Sequence, residues 1–446
     1  MATTTKPVIL DETGKQILGA CREIAAAITN SKIGKVYGFH ISGSESDPAS
    51  KVTYLLDAVG ATPAHMDFTN GVFDYGSWQD AFFLPRPCML KSNGKVDYYL
   101  NPNDYTKKAD GTASDIADTT YDGNAMMEWG RDGKKIWMKI VPDIDHLGAS
   151  IYIADHQADA DFHDWPFHNS KGQSMDHFYT AIYNGSIISD KMRSLSGQTV
   201  SKSKTAPQEI TAAQLNNPVA ADIMWNTELY SDAMLINALL YLIGKSTNTQ
   251  AVFGEGLSTG GNESINDGFT TGVHNAKGLF FGTNTGAVSA GSYGNAVKVF
   301  GMENWWGFQW RRLQGYVMTD GAQKVKCTYG TEDGSTANGY TVNGEPTGAG
   351  YKATGATALS GTSGNYIKYE YFTEDGMFPC GALEGSSSTY YCDGCWYNNS
   401  GVRVARRGGT SDNGAEDGAS CVNLSNTASN ARWNIGAALS CKPLAA

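Results

Sequence analysis

Charged side chains and long apolar runs are both scarce in this sequence of 446 residues. Only 18% of the residues are charged, and 45 acidic residues against 34 basic ones give a net charge of −11. Nucleic acids and anionic membranes bind basic surfaces, so this charge balance argues against either as a partner. No apolar run approaches the roughly 18 residues that a transmembrane helix needs, so membrane insertion is not expected.

The first residues also lack the features of a signal peptide. The beginning, MATTTKPVILDETGKQ, has no basic start, no apolar core and no small-residue cleavage site. We therefore expect synthesis in a cytoplasm without export by the usual route. A protein made in this way that acts outside the cell would leave by another path, such as lysis.

The segment from residue 386 to 417 contains no His, Lys, Gln or Met. It therefore lacks the side chain that most often transfers protons at neutral pH. It contains Tyr, Trp and Arg interleaved with Ser, Gly and Asn instead. Aromatic and Arg side chains supply much of the binding energy at interfaces, and Tyr mixed with Ser, Gly and Asn is typical of antibody binding loops. This composition predicts a binding surface rather than an active site.

The 52 glycines and the aromatic fraction of 11% indicate many turns and strands rather than a helical bundle. The length allows two or three domains with sizeable cores. Residues 8–28 predict an amphipathic helix, because Leu10, Ile17 and Ile24 are seven apart. This helix either packs on its own domain or oligomerises the chain. Residues 36–118 alternate short apolar stretches with turn signals and predict a small mixed domain.

From about residue 124 the pattern predicts strands in series with few helices. Residues 224–245 predict a helix with one buried face, since apolar residues recur at helical spacing and glycine stands near the end. Residues 190–215 are rich in Ser, Thr and Lys and predict an exposed excursion. The stretches YYCDGCWY and VRVARR, on either side of residues 398–401, predict a β-hairpin.

Two motifs could carry chemistry, and each has a plainer interpretation. Residues 256–260 read Gly-Leu-Ser-Thr-Gly, but a nucleophile elbow needs a strand before it and a helix after it, and the flanks predict a glycine-rich loop. Residues 155–168 contain His and Asp that could hold Zn or Mn, yet the spacing fits no helical metal-binding pair. A polar loop is the expected alternative, so no metal site is predicted.

Six of the eight cysteines fall in the last 120 residues. Synthesis in a cytoplasm predicts free thiols, many of them buried, although a disulfide formed after release stays open because spacing cannot reveal it. Cys392 and Cys395 could form half of a zinc site, but Cys421 and Cys441 make a poor second pair. Nearby arginines at 403, 406 and 407 either bind an anionic glycan or carboxylate or line a solvated strand edge.

Five segments in the later part of the chain are similar to segments of a known family. They are TELY at 227–230, GMENWWGFQW at 301–310, RGGTSDNGA at 407–415 followed by Gly418, CVNL at 421–424 and AxWNIGA at 431–437. Together they resemble C-type lectin folds of the formylglycine-generating-enzyme type over roughly residues 124–446. The resemblance implies an α+β fold: a C-type lectin-like domain of mostly short antiparallel strands with few helices, preceded by a small N-terminal mixed domain with a leading helix. Trp433 and Ile435 should then be core residues.

More narrowly, the chain resembles phage target proteins diversified by diversity-generating retroelements. In that family, adenines of a template are randomised, mostly in Asn-type codons, which excludes Lys, Gln, Met, Glu and Trp from the products. Residues 386–417 nearly satisfy this rule, with Trp396 and Glu416 as departures. The enzymatic branch of the lectin-like family uses two copper-binding cysteines near its end, and Cys421 and Cys441 are too far apart to be that pair. The resemblance therefore implies a binding protein, not an enzyme.

These observations predict a tail-associated phage virion protein that binds a host cell-surface protein or glycan through a variable hairpin at 386–417. Residues 1–118 would attach it to other virion or tail proteins and help to form a homo-oligomer such as a trimer. No cofactor is expected, and whether Ca²⁺ orders the loops is open. The alternatives are an enzyme on the same fold, either a formylglycine-type oxidase or a glycan-cleaving tail protein, and a structural decoration protein. The predicted ligand contacts are Tyr390, Tyr391, Asp393, Cys395, Trp396, Tyr397, Asn398, Asn399, Arg406, Arg407, Ser411, Asp412, Asn413, Glu416 and Asp417.

Overall fold

Strands supply most of the regular structure in this computed structural model, which describes residues 34–327 and 351–445. The chain divides after Lys35, and nearly all described residues belong to the unit Val36–Ala446. The helix predicted over 8–28 lies outside the described residues. The expectation of many strands with few helices is confirmed for the described part of the chain.

The strands follow one another closely, with short turns between many of them. In chain order they are β1 (Val36–Ile41), β2 (Val52–Leu56), β3 (His65–Asp67), β4 (Val72–Asp74), β5 (Arg86–Lys91), β6 (Val96–Asn101), β7 (Asp104–Lys108), β8 (Gly123–Trp129), β9 (Trp137–Pro142), β10 (Ala149–Ala154), β11 (Phe178–Ala181), β12 (Ser186–Ile188), β13 (Lys191–Arg193), β14 (Trp225–Thr227), β15 (Lys298–Val299), β16 (Met302–Glu303), β17 (Trp310–Thr319), β18 (Ala322–Val325), β19 (Lys352–Ala353), β20 (Thr362–Tyr366), β21 (Tyr369–Thr373), β22 (Gly376–Ala382), β23 (Gly394–Asn398), β24 (Val402–Arg407), β25 (Val422–Leu424), β26 (Ile435–Gly436) and β27 (Leu439–Cys441). The α-helices of the described residues are α1 (Ala206–Gln214), α2 (Tyr230–Gly244), α3 (Thr249–Phe253) and α4 (Glu263–Asp267), and 3-10 turns occur at Trp165–Phe167 and Gly414–Glu416.

Three large sheets organise these strands. A four-stranded sheet has the order β2-β1-β10-β9, and a seven-stranded sheet has the order β14-β27-β11-β8-β5-β6-β7. The third sheet has eight strands in the order β19-β18-β17-β24-β25-β23-β20, with β26 paired to β17. Strand β27 therefore lies between β14 and β11, although it is the last strand in the sequence.

The predicted division between residues 118 and 124 differs from what the strand pairings show. Strand β1 pairs with β10, and β5 pairs with β8, so strands from both sides of the division share two sheets. One compact unit spans Val36–Ala446 and therefore includes both sides of the predicted division. Alternation of apolar residues predicts that a segment is a strand, but it carries no information about which strand lies beside it.

Helix α2 lies at the centre of the core and contacts elements of all three sheets. It packs against β2 and β17, and its Asp232 accepts hydrogen bonds from Lys442 and from Ser440 of β27, both at 2.7 Å. The sequence predicts a helix with one buried face, whereas all of its residues except Asn237 are buried. A helix that is apolar on every side is typical of such a central position. It begins at Tyr230, later than predicted, because residues Trp225–Thr227 form β14.

Two further segments differ from expectation. The predicted exposed excursion at 190–215 contains β13 and α1, since Thr205 and Gln208 form a capping box that begins the helix. The predicted β-hairpin contains its two strands, β23 and β24, but they do not pair with each other. Strand β25 lies between them, parallel to β23 and antiparallel to β24. The two strands diverge from their connecting turn because a third segment enters between them.

Candidate binding surface

Five residues on five neighbouring strands of the eight-stranded sheet lie in one line across those strands. In the strand order β20, β23, β25, β24 and β17, they are Gly364, Trp396, Asn423, Arg406 and Arg312. Paired residues on neighbouring strands project to the same face, so the four side chains share one face of the sheet. We call this line of residues the transverse row.

Trp396 lies flat across the sheet because its neighbours are glycines. A Cβ atom on Gly364 would come 2.0 Å from the indole Cδ1, and one on Gly394 would come 2.5 Å from Cη2. The ring of Trp310 meets the indole edge to face, with 5.5 Å between the centroids and an interplanar angle of 82°. Trp310 is buried and Trp396 is half-buried. Glycine at both positions therefore lets the indole lie against the strands, with part of the ring accessible to solvent.

Arg406 is a buried guanidinium with an incomplete set of partners. Its Nη2 donates to Asn423 Oδ1 at 2.8 Å, and its guanidinium lies 5.7 Å from the centre of the Trp310 ring. Only 3% of Arg406 is exposed, and within the described residues its Nε has no hydrogen-bond partner. Burial, with the positive charges of Arg312 and Arg432, lowers the pKa of Arg406 to about 9.

Arg312 ends the transverse row and connects it to α1. Its Nε donates to the buried carboxylate of Glu209, and its Nη2 donates to the carbonyls of Lys204 and Asn430. Burial raises the pKa of Glu209 to about 7, although the charge of Arg312 opposes that rise. In the part of the chain that the structure describes, Nη1 of Arg312 has no partner. The Glu209 carboxylate therefore balances Arg312, the arginine at the end of the transverse row.

Arg407 points to the opposite face of the same strand, into the core. Its Nε donates to Glu228, and its Nη1 donates to the carbonyl of Trp305 at 2.6 Å. Arg311 also lies 3.7 Å from the Glu228 carboxylate. Arg407 therefore stabilises the interior and does not reach a ligand.

Two buried aspartates fix the loops beneath the surface. Asp393 Oδ2 accepts from the backbone amide of Ser420 at 2.7 Å, and Asp417 Oδ1 accepts from the amide of Thr410 at 3.0 Å. Burial raises the pKa of both carboxyl groups well above their usual range. Ser411 is buried as well and donates to Asn266 at 2.9 Å. These side chains hold the loop that follows β24.

The predicted contacts thus separate into a buried set and an accessible set. The buried residues are Tyr391, Asp393, Cys395, Arg406, Arg407, Ser411 and Asp417. Their prediction as direct contacts is corrected, because residue composition does not tell which face of a strand a side chain occupies. Cys395 is also not a free thiol, since it forms a disulfide with Cys380 of β22. Ile435 is buried, as expected, whereas Trp433 is half-buried.

The accessible set surrounds one end of the transverse row and the loop after β24. It consists of Tyr390, Trp396, Tyr397, Asn398, Asn399, Asp412, Asn413 and Glu416. Strand β20 extends this surface with exposed residues that the sequence reasoning missed, Thr362, Ser363 and Asn365. The Ser-Gly-Asn composition of β20 is the signal that could have identified it. Asn423 and the exposed Arg432 were also missed, because they lie beyond residue 417.

The other chemical motifs have structural roles. In the 155–168 segment, Lys134 pairs with Asp155, and His168 and Lys135 both pair with Asp164. No group of three or more His, Cys, Asp or Glu residues within 34–327 and 351–445 is arranged to hold a metal ion. Ser258 is buried, and a Cβ on Gly286 would come 1.8 Å from its hydroxyl, so it sits in a packed loop. No helix of the described residues is long and apolar enough to cross a membrane.

The chain is similar to some solved structures but matches neither a family model nor a curated protein. Among solved structures it is similar to the "Major Tropism Determinant U1 Variant", with 12% identity, 80% of this chain and 72% of that chain covered, and a TM-score of 0.29. The "Major Tropism Determinant M1 Variant" gives 13% identity, the same coverage and a TM-score of 0.27. TM-scores of this size do not establish a shared fold or a function.

Proposed function

We propose that this chain is a receptor-binding protein of a phage virion, tail-associated, whose C-type lectin-like domain presents a variable surface to host cells. The binding surface consists of the accessible set together with the exposed residues of β20. The observation that carries the proposal is the layering of this surface. Accessible aromatic and Asn side chains stand directly on buried hydrogen-bonded charges and a disulfide.

This layering suits a surface whose contacts change while its framework stays fixed. Trp396 and Tyr397 are on β23, the strand that the Cys380–Cys395 disulfide joins to β22. Arg407 ties the neighbouring strand β24 to Glu228 in the core. Side chains held by rigid elements lose less conformational entropy on binding, which favours affinity without a deep pocket.

Each copy would bind weakly, because the accessible set is small and partly polar. Several copies on one virion could raise the overall affinity by roughly 10²–10⁴ if they engage together. A homo-oligomer attached through the N-terminal region to other virion proteins would provide those copies. No catalytic step and no cofactor belongs to the proposal.

The experiment is adsorption of the full-length protein to cells of the host bacterium. Trp396, Tyr397, Asn398 and Asn399 are replaced together by alanine, and the control replaces the exposed Asn103, Lys107 and Thr119 of another sheet region. We expect the first variant to fold and to lose adsorption, while the control adsorbs normally. Normal adsorption of both variants would overturn the proposal. A failure of virion assembly in the first variant would instead favour a structural decoration protein.

A further inference from the structure

The transverse row joins an exposed aromatic face to a cluster of positive charge in an acidic protein. Trp396 is accessible at one end, and Asn423 is half-buried beside it. Next come Arg406 and Arg312. Arg312 donates to the carbonyl of Asn430, two residues before the exposed Arg432, and the charge of Arg432 helps to lower the pKa of Arg406. This region is therefore locally positive, although the chain as a whole has a net charge of −11.

Both buried arginines of the row have donors that the fold leaves unused. Within the described residues, Arg406 Nε and Arg312 Nη1 lack hydrogen-bond partners. Among residues 34–327 and 351–445, the Arg406 side chain donates one hydrogen bond, to a neutral amide, and the carboxylate of Glu209 is directed to Arg312. Removing a guanidinium from water without a counter-charge is unfavourable, so an anion held at the surface over Arg406 would offset its positive charge, although the buried Nε stays out of reach.

Asn423 is oriented to take part in such an interaction. Its Oδ1 accepts from Arg406 Nη2 and from the amide of Ser425 at 2.9 Å, which turns its Nδ2 donor away from the arginine. Neighbouring strands lie about 4.8 Å apart, so Trp396 and Arg406 are separated by roughly 10 Å across the row. That span fits two linked sugar rings rather than a single small anion.

The chemistry along the row favours a sugar over a peptide. The accessible part of the Trp396 indole provides a stacking surface for the C–H face of a pyranose ring. Thr362 of β20 and Asn398 of β23 pair with each other on the same face as Trp396, so their hydroxyl and amide groups can hydrogen-bond to ring hydroxyls. Glu416 lies close to Gly394, which the indole also contacts: its Cβ would be 3.0 Å from a Cβ on Gly394. An acid there repels a second carboxylate and orients the ligand's negative end toward Arg406.

We propose that the transverse row is a subsite for an acidic oligosaccharide, with one sugar ring on Trp396 and the carboxylate of the next beside the exposed Arg432 and over the buried Arg406, whose charge it offsets without direct contact. This inference rests on the proposed function, because it names the ligand chemistry of the same surface. The side chains that hold the ligand would be Trp396 by stacking, Asn423 by its Nδ2 and the two arginines by charge.

The test is calorimetric titration of the full-length protein with three acidic probes: a galacturonate tetramer, a hyaluronan tetrasaccharide and a disialic acid. The methyl ester of the galacturonate tetramer is the uncharged control, and a tetraglutamate peptide is the acidic control without sugar rings. We expect at least one acidic sugar to bind and to weaken by about tenfold or more in Trp396→Ala and in Arg432→Gln. The ester and the peptide should bind at least about tenfold more weakly than the acidic sugar.

Two matched variants control for general effects. In the four-stranded sheet, Tyr152 lies over Gly38 much as Trp396 lies over Gly364. On the neighbouring strand β9, Tyr152 pairs with Lys139, whose charge is already balanced by Asp159 and Asp161. Tyr152→Ala should therefore leave binding unchanged, as should Arg131→Gln at an exposed arginine elsewhere.

Each contrary result has a defined meaning. Failure of all three acidic sugars at millimolar concentration would overturn the inference, as would equal binding of the ester. Stronger binding of the peptide would assign the row to an acidic protein segment instead. If the sugar titrations fail but Trp396→Ala still abolishes adsorption to cells, the receptor-binding function is supported and only the acidic-sugar subsite is rejected.

Discussion

Arg407 donates a hydrogen bond through Nε to the carboxylate of Glu228, which lies 179 positions earlier in the sequence. Both side chains are buried, and the guanidinium also lies 3.4 Å from the centre of the Trp305 ring. Glu228 begins the segment that leads into α2, so this ion pair attaches β24 to the central helix. The adjacent Arg406 faces the other way, and two consecutive arginines thus perform different tasks.

Replacing Arg407 should therefore destabilise the fold. Arg407→Ala leaves the Glu228 carboxylate buried without its main partner, and such changes cost about 3–5 kcal/mol. Urea denaturation of the full-length protein measures the loss. Arg131→Ala, at an exposed arginine, should change stability by less than about 0.5 kcal/mol. An Arg407 variant of normal stability that had lost ligand binding would instead make Arg407 a contact residue.

The Cys380–Cys395 disulfide corrects the expectation of free thiols at these two positions. Cross-links that close a loop of about 15 residues stabilise by about 3 kcal/mol. We expect reductant to lower the free energy of unfolding by about that amount, and to have no such effect on Cys380→Ser. If the protein is made in a cytoplasm, as we propose, its thiols stay reduced there, and it should gain this stability only after release. An unchanged unfolding midpoint under reduction would contradict the prediction.

The contribution of Glu370 to stability should fall as pH rises from about 4.5 to about 7. Burial raises the pKa of Glu370 to about 7 from its ordinary 4.5, against opposing effects of Ser420 and Lys51. The folded state then binds more protons than the unfolded state within this window, so raising the pH favours unfolding by on the order of 3 kcal/mol. Denaturation at a series of pH values measures the slope. Glu370→Gln should reduce the slope, whereas the exposed Glu374→Gln should leave it unchanged.

A side chain at position 364 should displace the Trp396 indole. A Cβ there would come 2.0 Å from the indole Cδ1, closer than any real contact, so Gly364→Val forces the ring off the sheet. We expect the indole N–H signal of Trp396 in NMR spectra to shift and ligand binding to weaken. Ser363→Val, on the opposite face of β20, should do neither. An unmoved signal in Gly364→Val would show that the indole does not lie across β20.

Amino-acid variation among related phages should be concentrated at solvent-accessible residues of 386–417. If adenine-directed diversification acts on 386–417, a near-copy of its coding segment should stand downstream beside a reverse transcriptase gene. We expect its differing adenines to fall in codons of accessible residues and to avoid those of Asp393 and Asp417, which hold backbone amides. Sequencing the locus in related phages checks this. Frequent replacement of either aspartate would contradict the division into accessible and buried sets.

Much of the local structure can be predicted from the sequence. Apolar periodicity identifies α2, and turn signals around residues 398–401 separate β23 from β24. The partner of each strand cannot be predicted in this way, because β25 reaches its place between them from more than twenty residues further along the chain. The sequence also does not predict which way a side chain points. Arg406 and Arg407 are adjacent and chemically identical, and the pairing of β24 in the sheet determines which of them faces the core.

Strand β27 occupies the interior of the seven-stranded sheet between β14 and β11, and it is made after every residue of the binding surface. Without it, both neighbours would expose unpaired edges, which promote aggregation. A ribosome must therefore read through residues 386–417 in frame before this sheet can close. A frameshift or premature stop introduced there would leave β14 and β11 without their shared partner, so the truncated chain would tend to aggregate instead of presenting an altered surface.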